Sequence, residues 1–214
     1  SNLAIRKISV KENYISTVID NSSSFLKDPF VGPYFTELAA ACLDVNGDLL
    51  ITDSDSIRQV HITKDPITIS TLDVTIDKKG GSKHSRYIRS ICVSKTKGDI
   101  YFLCNSDKIF HLIRSEKGSH ECHVFMDFVK SIKRTKRGRC IDTWCLAFDR
   151  KGDLYCSCTG CIYKFYLKTG RYVKLRLCDV LKGEPITQLH FVGDDMYLIV
   201  QNHMKTSRVF KIAL

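Results

Sequence analysis

Two stretches of the chain concentrate cations densely enough to hold phosphates or carboxylates. Residues 78–89 contain Lys78, Lys79, Lys83, Arg86 and Arg89 with no acid, and residues 130–139 contain Lys130, Lys133, Arg134, Lys136, Arg137 and Arg139, again with no acid. His84 and Tyr87 lie inside the first stretch and Trp144 follows the second, flat groups on which an unstacked base could rest. The whole chain carries 33 Lys+Arg against 23 Asp+Glu, a net charge of +10, which biases it toward polyanions. Single-stranded RNA is therefore the leading expected partner. The same residues also suit an acidic protein surface, or lysine-rich loops that are merely solvated or serve as a localisation signal.

A second candidate is the run Cys156-Ser157-Cys158-Thr159-Gly160-Cys161, three thiols at a spacing that zinc could use. A fourth ligand has no evident source, and Leu154, Tyr155, Ile162 and Tyr163 around it have the character of sheet core, so packing is the expectation, with a Cys158–Cys161 disulfide as the lesser alternative. Neither a nucleophile elbow nor a phosphate-cradling glycine loop occurs, and the histidines show no metal spacing. An enzyme is not expected, nor a cofactor; a propeller hydrolase or lyase is the third reading.

The elements that would position these residues come from an internal repeat. Gly47-Asp48-Leu49-Leu50-Ile51, Gly98-Asp99-Ile100-Tyr101-Phe102, Gly152-Asp153-Leu154-Tyr155-Cys156 and Asp194-Asp195-Met196-Tyr197-Leu198 align with one another. A short apolar run precedes each of them, and a run rich in Ile, Val and aromatic residues follows, at Ile57 to Ile62, Ile109 to Ile113, Ile162 to Leu167 and Val209 to Ile212. A fourth run appears in three copies, Thr68 to Val74, Cys122 to Phe128 and Tyr172 to Cys178. Such runs between glycine turns are strands. Four-stranded units repeating every ~40–50 residues predict an all-β fold, a β-propeller of antiparallel four-stranded blades making one domain over 1–214.

The meander assigns the connections to two faces of the disc. Outer-to-inner and second-to-third connections share one face, which places both basic stretches together. Asp44, Asp48, Asp99, Asp149, Asp153, Asp194 and Asp195 flank the inner-to-second turns on the other. His61 and His111 occupy the place in the third strand that Lys164 and Lys211 take in later units.

Ile5-Arg6-Lys7-Ile8, Ile15-Ser16-Thr17-Val18, Leu43-Asp44-Val45-Asn46-Gly47-Asp48-Leu49-Leu50-Ile51-Thr52-Asp53-Ser54 and the return Ile57-Arg58-Gln59-Val60 resemble the NHL-repeat propeller pattern. The match covers about the first 75 residues and weakens afterward, where Asn105 and Cys158 replace the Asp that stands at 53. The resemblance implies a recognition module for RNA or protein rather than an enzyme. About four blades are expected. Tyr14 to Ile19 could supply the missing outer strand of the last blade and close the ring, with Ile5–Ile8 left over. Alternatively the chain is part of a larger ring, or an open arc whose bare faces would drive self-association.

No apolar run approaches the ~18 residues that span a bilayer, so no membrane partner is expected. The chain starts at Ser1, which suggests an excised or processed segment. Six of the ten cysteines lie within apolar runs, where a thiol acts as a small core hydrophobe. The expected compartment is therefore the cytoplasm, with the nucleus possible from the basic cluster, although an even count and the sequon at Asn21 keep a secreted framework open.

Overall fold

The computed structural model describes residues 3–20, 35–65, 67–72, 74, 87–104, 108–114, 120–128, 143–158, 160–177, 184–201 and 206–213. These residues form a β-propeller. Strands β1 (Ala4–Ser9) and β2 (Tyr14–Asp20) make a hairpin. Blade one follows as β3 (Leu38–Leu43), β4 (Leu49–Asp53), β5 (Ser56–His61) and β6 (Thr68–Leu72). Blade two is β7 (Ile88–Val93), β8 (Ile100–Cys104), β9 (Lys108–Arg114) and β10 (His120–Asp127). Blade three is β11 (Thr143–Phe148), β12 (Leu154–Cys158), β13 (Cys161–Tyr166) and β14 (Arg171–Arg176). Blade four shows β15 (Ile186–Val192), β16 (Asp195–Gln201) and β17 (Ser207–Ala213) among the described residues. Every blade is an antiparallel meander, which is what short runs joined by tight turns must make.

A blade is stable only because each face is covered by its neighbour. Ile100, Phe102 and Cys104 pack with Leu50 and Ile57 of blade one, while Tyr101 and Leu103 pack with Leu154 and Cys156 of blade three. Alternate residues of β8 thus enter different cores, as strand alternation predicts, and all five are buried. A third layer joins Tyr155 and Ile162 to Leu189, Met196 and Leu198 of blade four.

Buried polar groups staple the layers together. The amide of Leu146 donates to Ser90 Oγ at 3.0 Å, linking blades two and three, and Ser157 Oγ donates to the Ile186 carbonyl at 2.8 Å, linking three and four. Between blades one and two the link is backbone to backbone, from the Ile88 amide to the Ser54 carbonyl at 2.9 Å.

The inner-to-second turns place glycine where the repeat demands it. Gly98 has φ +75°, so any other residue there is strained, and its Cβ would touch Val45 Cγ2 of the neighbouring blade at 3.4 Å.

Ring closure by strand exchange is not what the structure adopts. β2 pairs with β1, from Ala4↔Asp20 to Ser9↔Tyr14, and β17 pairs with β16. The apolar layer under the hairpin holds it against blade one instead: Ile19 is fully buried with Leu3 and Ile5 against Ile51 and Val60. Among the described residues no apolar cluster joins blade four to blade one.

Candidate functional site

The four inner strands β3, β7, β11 and β15 line a common central cavity of about 720 Å³. Each inner strand has a register break close to its start: between Leu38 and Ala41, Ile88 and Ser90, Thr143 and Leu146, and Ile186 and Gln188. A bulge gives a strand one unpaired residue and turns its side chain away from the regular alternation. In blade two that residue is Arg89 and in blade three the break contains Trp144, so two neighbouring blades direct a guanidinium and an indole to the same end of the channel. They meet there. The Arg89 guanidinium lies 5.6 Å from the centroid of the Trp144 ring.

The cavity has one sign of charge. Arg89, Lys95 and His190 line it together with Trp144, Thr187 and Gln188, and its lining contains no Asp or Glu. Among the described residues Arg89 has no carboxylate within ion-pair distance, and Trp144 Nε1 is buried with no acceptor in reach. A buried donor without a partner is uncommon enough to mark a place where something else belongs.

Of the residues predicted from sequence to hold a polyanion, the structure describes Tyr87 and Arg89. Lys78, Lys79, Lys83, His84, Arg86, Lys130, Lys133, Arg134, Lys136, Arg137 and Arg139 lie outside the described residues. Tyr87 is half-buried, and its hydroxyl is hydrogen-bonded to Glu37, which stands just before β3. Burial and the Glu37 charge push the phenol above its ordinary pKa, with Arg89 offsetting part of the rise. Its hydroxyl is thereby engaged within the protein. Sequence reading missed Glu37, Lys95 and His190; only their places on or beside the inner strands could have suggested them.

The opposite face carries a repeated clasp rather than an open acidic surface. Asp99 lies 3.2 Å from His111 without the alignment of a hydrogen bond, Asp153 lies 3.0 Å from Lys164, and Asp195 lies 2.8 Å from Lys211. In each case the basic group also covers a second-strand tyrosine: His111 stacks on Tyr101 at 4.3 Å, and Lys164 and Lys211 stand 5.0 and 5.9 Å from the Tyr155 and Tyr197 rings. Register shows that the blade-one residue in this place is Gln59, opposite Leu50, and that His61 sits two residues further along. His61 nonetheless reaches the turn, with Nδ1 2.7 Å from Asp48 Oδ2. The repeat position assigned to His61 is thus corrected by one inward-facing step.

These clasps give a pH dependence. Burial lowers the His111 pKa below its usual value, the attraction of Asp99 offsetting this only in part. A histidine with a depressed folded pKa contributes stability that is present above its unfolded pKa, near 6.5, and lost as pH falls below that value. Burial alone would raise Asp48, but hydrogen bonds from His61 and Thr63 and the imidazole charge outweigh it and hold the carboxyl below its ordinary range. Its contribution is present above about pH 4 and lost as pH falls further. We expect His111→Gln, which installs the side chain found at 59, to flatten the fall in the urea midpoint between about pH 7 and pH 5 while leaving the steeper loss below about pH 4 in place.

The three clustered cysteines are core. Cys156, Cys158 and Cys161 are buried free thiols, Cys158 and Cys161 being directly opposed across the β12–β13 hairpin. The hydrogen bond with Cys156, together with burial, raises the Cys158 thiol far above its ordinary value, and the bond to Cys158 does the same for Cys161. No group of His, Cys, Asp and Glu among the described residues has the arrangement of a metal site.

Solved structures share the architecture at low identity. The extracellular domain of a putative hybrid two-component system from B. thetaiotaomicron superimposes with a TM-score of 0.60 at 8% identity, covering 91% of this chain and 23% of that one. YCF48 bound to D1 peptide gives 0.60 at 10% identity over 99% of this chain and 57% of that one, and U3-55K gives 0.53 at 13% over 81% and 51%. What they share is the fold. The chain spans about a quarter to three fifths of the length of these proteins. No family model and no curated protein sequence matches the chain. The cytoplasmic placement expected from the cysteines is overturned by this comparison, since the same fold serves as an extracellular domain in the B. thetaiotaomicron protein. Buried thiols reflect packing in the blade cores and carry no address. No helix of the described residues is long and apolar enough to cross a membrane.

Proposed function

We propose that the chain is a protein-interaction module that receives an acidic segment of a partner protein at the central channel. The observation that carries this reading is the channel lining: Arg89 beside Trp144 at the starts of the inner strands and Lys95 and His190 toward their ends, with no carboxylate among the lining residues. A low-dielectric cleft lined by one sign of charge concentrates ligands of the other. The likeness to YCF48, seen with the D1 peptide bound, adds that a propeller of this form accommodates a peptide. RNA binding, with the NHL-like character that goes with it, is the second reading, and it rests on the basic stretches that Tyr87 and Arg89 belong to.

Trp144 is the chain's single tryptophan, so its emission reports on the channel alone. Titration with a glutamate-rich peptide should shift that emission, a lysine-rich peptide should not, and an oligouridylate should bind more weakly than the acidic peptide at physiological salt. An oligouridylate that binds more tightly, with log affinity falling about 0.7 per phosphate against log salt, would replace this reading with the RNA one.

A further inference from the structure

We infer that the start of the channel is a carboxylate-binding clamp, in which the Arg89 guanidinium pairs with a ligand carboxylate and the Trp144 indole N–H donates to the same ligand. The inference rests on the reading of the channel as a peptide site and names the group recognised there. Two unmet demands converge in one place. Arg89 is half-buried without a carboxylate partner among the described residues, and Trp144 Nε1 is buried without an acceptor. Their side chains are already in contact, at 5.6 Å from guanidinium carbon to ring centroid. A cation–π contact at this distance uses none of the guanidinium N–H groups as hydrogen-bond donors to the ring, so they remain for a ligand. Those donors match the two oxygens of a carboxylate.

The alternatives at this position are poorer matches. The neighbouring carboxylate, Glu37, accepts from the Tyr87 hydroxyl and forms no ion pair with Arg89 among the described residues, so the clamp is not closed by it. A neutral amide in the ligand would satisfy the indole and leave the cation partly desolvated without a counter-charge, which costs binding energy. The bulges explain why the pair exists in one copy: the equivalent register breaks in blades one and four contain Ala39, Ala40 and Thr187, which offer no cation and no aromatic ring.

The carboxylate can belong to an Asp or Glu side chain or to a chain terminus, and the test separates them. ¹⁵N-labelled protein spanning residues 1–214 gives one indole N–H cross-peak, from Trp144. The probe is an acetylated, amidated heptapeptide of alternating valine and glutamate, compared with its glutamine counterpart and with that counterpart bearing a free terminal carboxylate. The glutamate peptide should move the indole cross-peak and bind about tenfold or more tightly than the amidated glutamine peptide. Restoration of affinity by the free terminus alone assigns the carboxylate to a chain end. Arg89→Gln should abolish the preference with an unchanged thermal midpoint, and Arg89→Lys should retain part of it. Equal binding of glutamate and glutamine peptides overturns the clamp while the peptide-site reading stands. Binding that leaves the indole cross-peak in place, or a preference that survives Arg89→Gln, also overturns it. No binding of any peptide overturns both.

Discussion

Replacing Asp53 by Ala should destabilise the fold by about 3–5 kcal/mol, because it removes the carboxylate that faces a buried cation. Asp53 and Arg58 are each 2% exposed, and the guanidinium Nη2 stands 2.8 Å from Asp53 Oδ2. The other carboxylate oxygen accepts from the Thr36 amide at 2.8 Å, the Thr36 hydroxyl at 2.9 Å and the Glu37 amide at 2.8 Å. One side chain thus neutralises the interior of blade one and pins the segment leading into β3. Urea unfolding followed by circular dichroism gives the magnitude. A double replacement, Asp53→Leu with Arg58→Met, should recover most of the loss, since a buried ion pair is costly to break but cheap to exchange for apolar groups of similar volume. Failure of the double variant to recover would show that the three hydrogen bonds to residues 36 and 37, rather than the charge, dominate. The same substitution reaches the channel indirectly, because Glu37 is the partner of Tyr87.

Tyr155→Ala should cost a similar amount, about 3–5 kcal/mol, for a different reason. The ring is 1% exposed in the layer between blades three and four and packs on Phe191 at 4.8 Å between centroids. Its removal leaves a cavity that β-sheet packing on both sides cannot close. Its hydroxyl donates to Asp149 Oδ2 at 3.1 Å, and Lys164 lies 5.0 Å from the ring centroid. Tyr155→Phe keeps the ring and loses the hydroxyl contact, so it should cost about 0.5–1.5 kcal/mol. A loss for Phe as large as that for Ala would place the energy in the clasp with Asp149 and Lys164 instead of in packing.

The blade repeat was legible in the chain because it depends on local chemistry. Gly-Asp turns, strand-length apolar runs and period-two alternation specify hairpins without help from distant residues, and β4, β8, β12 and β16 begin within a residue or two of the Asp that marked them. Closure was not legible. Tyr14 to Ile19 satisfies the pattern of an outer strand equally well beside β1 or beside β17, and the choice falls to Ile5 and Ile19 meeting Ile51 and Val60, a contact between remote segments. The clamp was hidden for a related reason. A bulge changes the direction of Arg89 and of Trp144 but leaves no mark in residue types, and Arg89 therefore counted as one more cation in a basic stretch. The bond from the Tyr87 hydroxyl to Glu37 left no mark in the sequence, because Glu37, about fifty residues earlier, lies outside any local window. His61 erred by two positions since a strand face repeats every second residue and pattern alone cannot say which repeat aligns.

The register breaks at the starts of the inner strands separate two kinds of position within each blade. Asp recurs in all four blades, and Tyr with a basic residue in blades two to four, where they hold the blade to itself, whereas the residues in the breaks change from one copy to the next, from Ala39 and Ala40 to Arg89, to Trp144 and Cys145, and to Thr187. Because the bulged residue leaves the hydrogen-bonded ladder, its side chain can be exchanged with little effect on the scaffold. Four such positions around one axis form a small alphabet that can be rewritten one letter at a time, so propellers built on this plan can acquire new ligands without relearning how to fold.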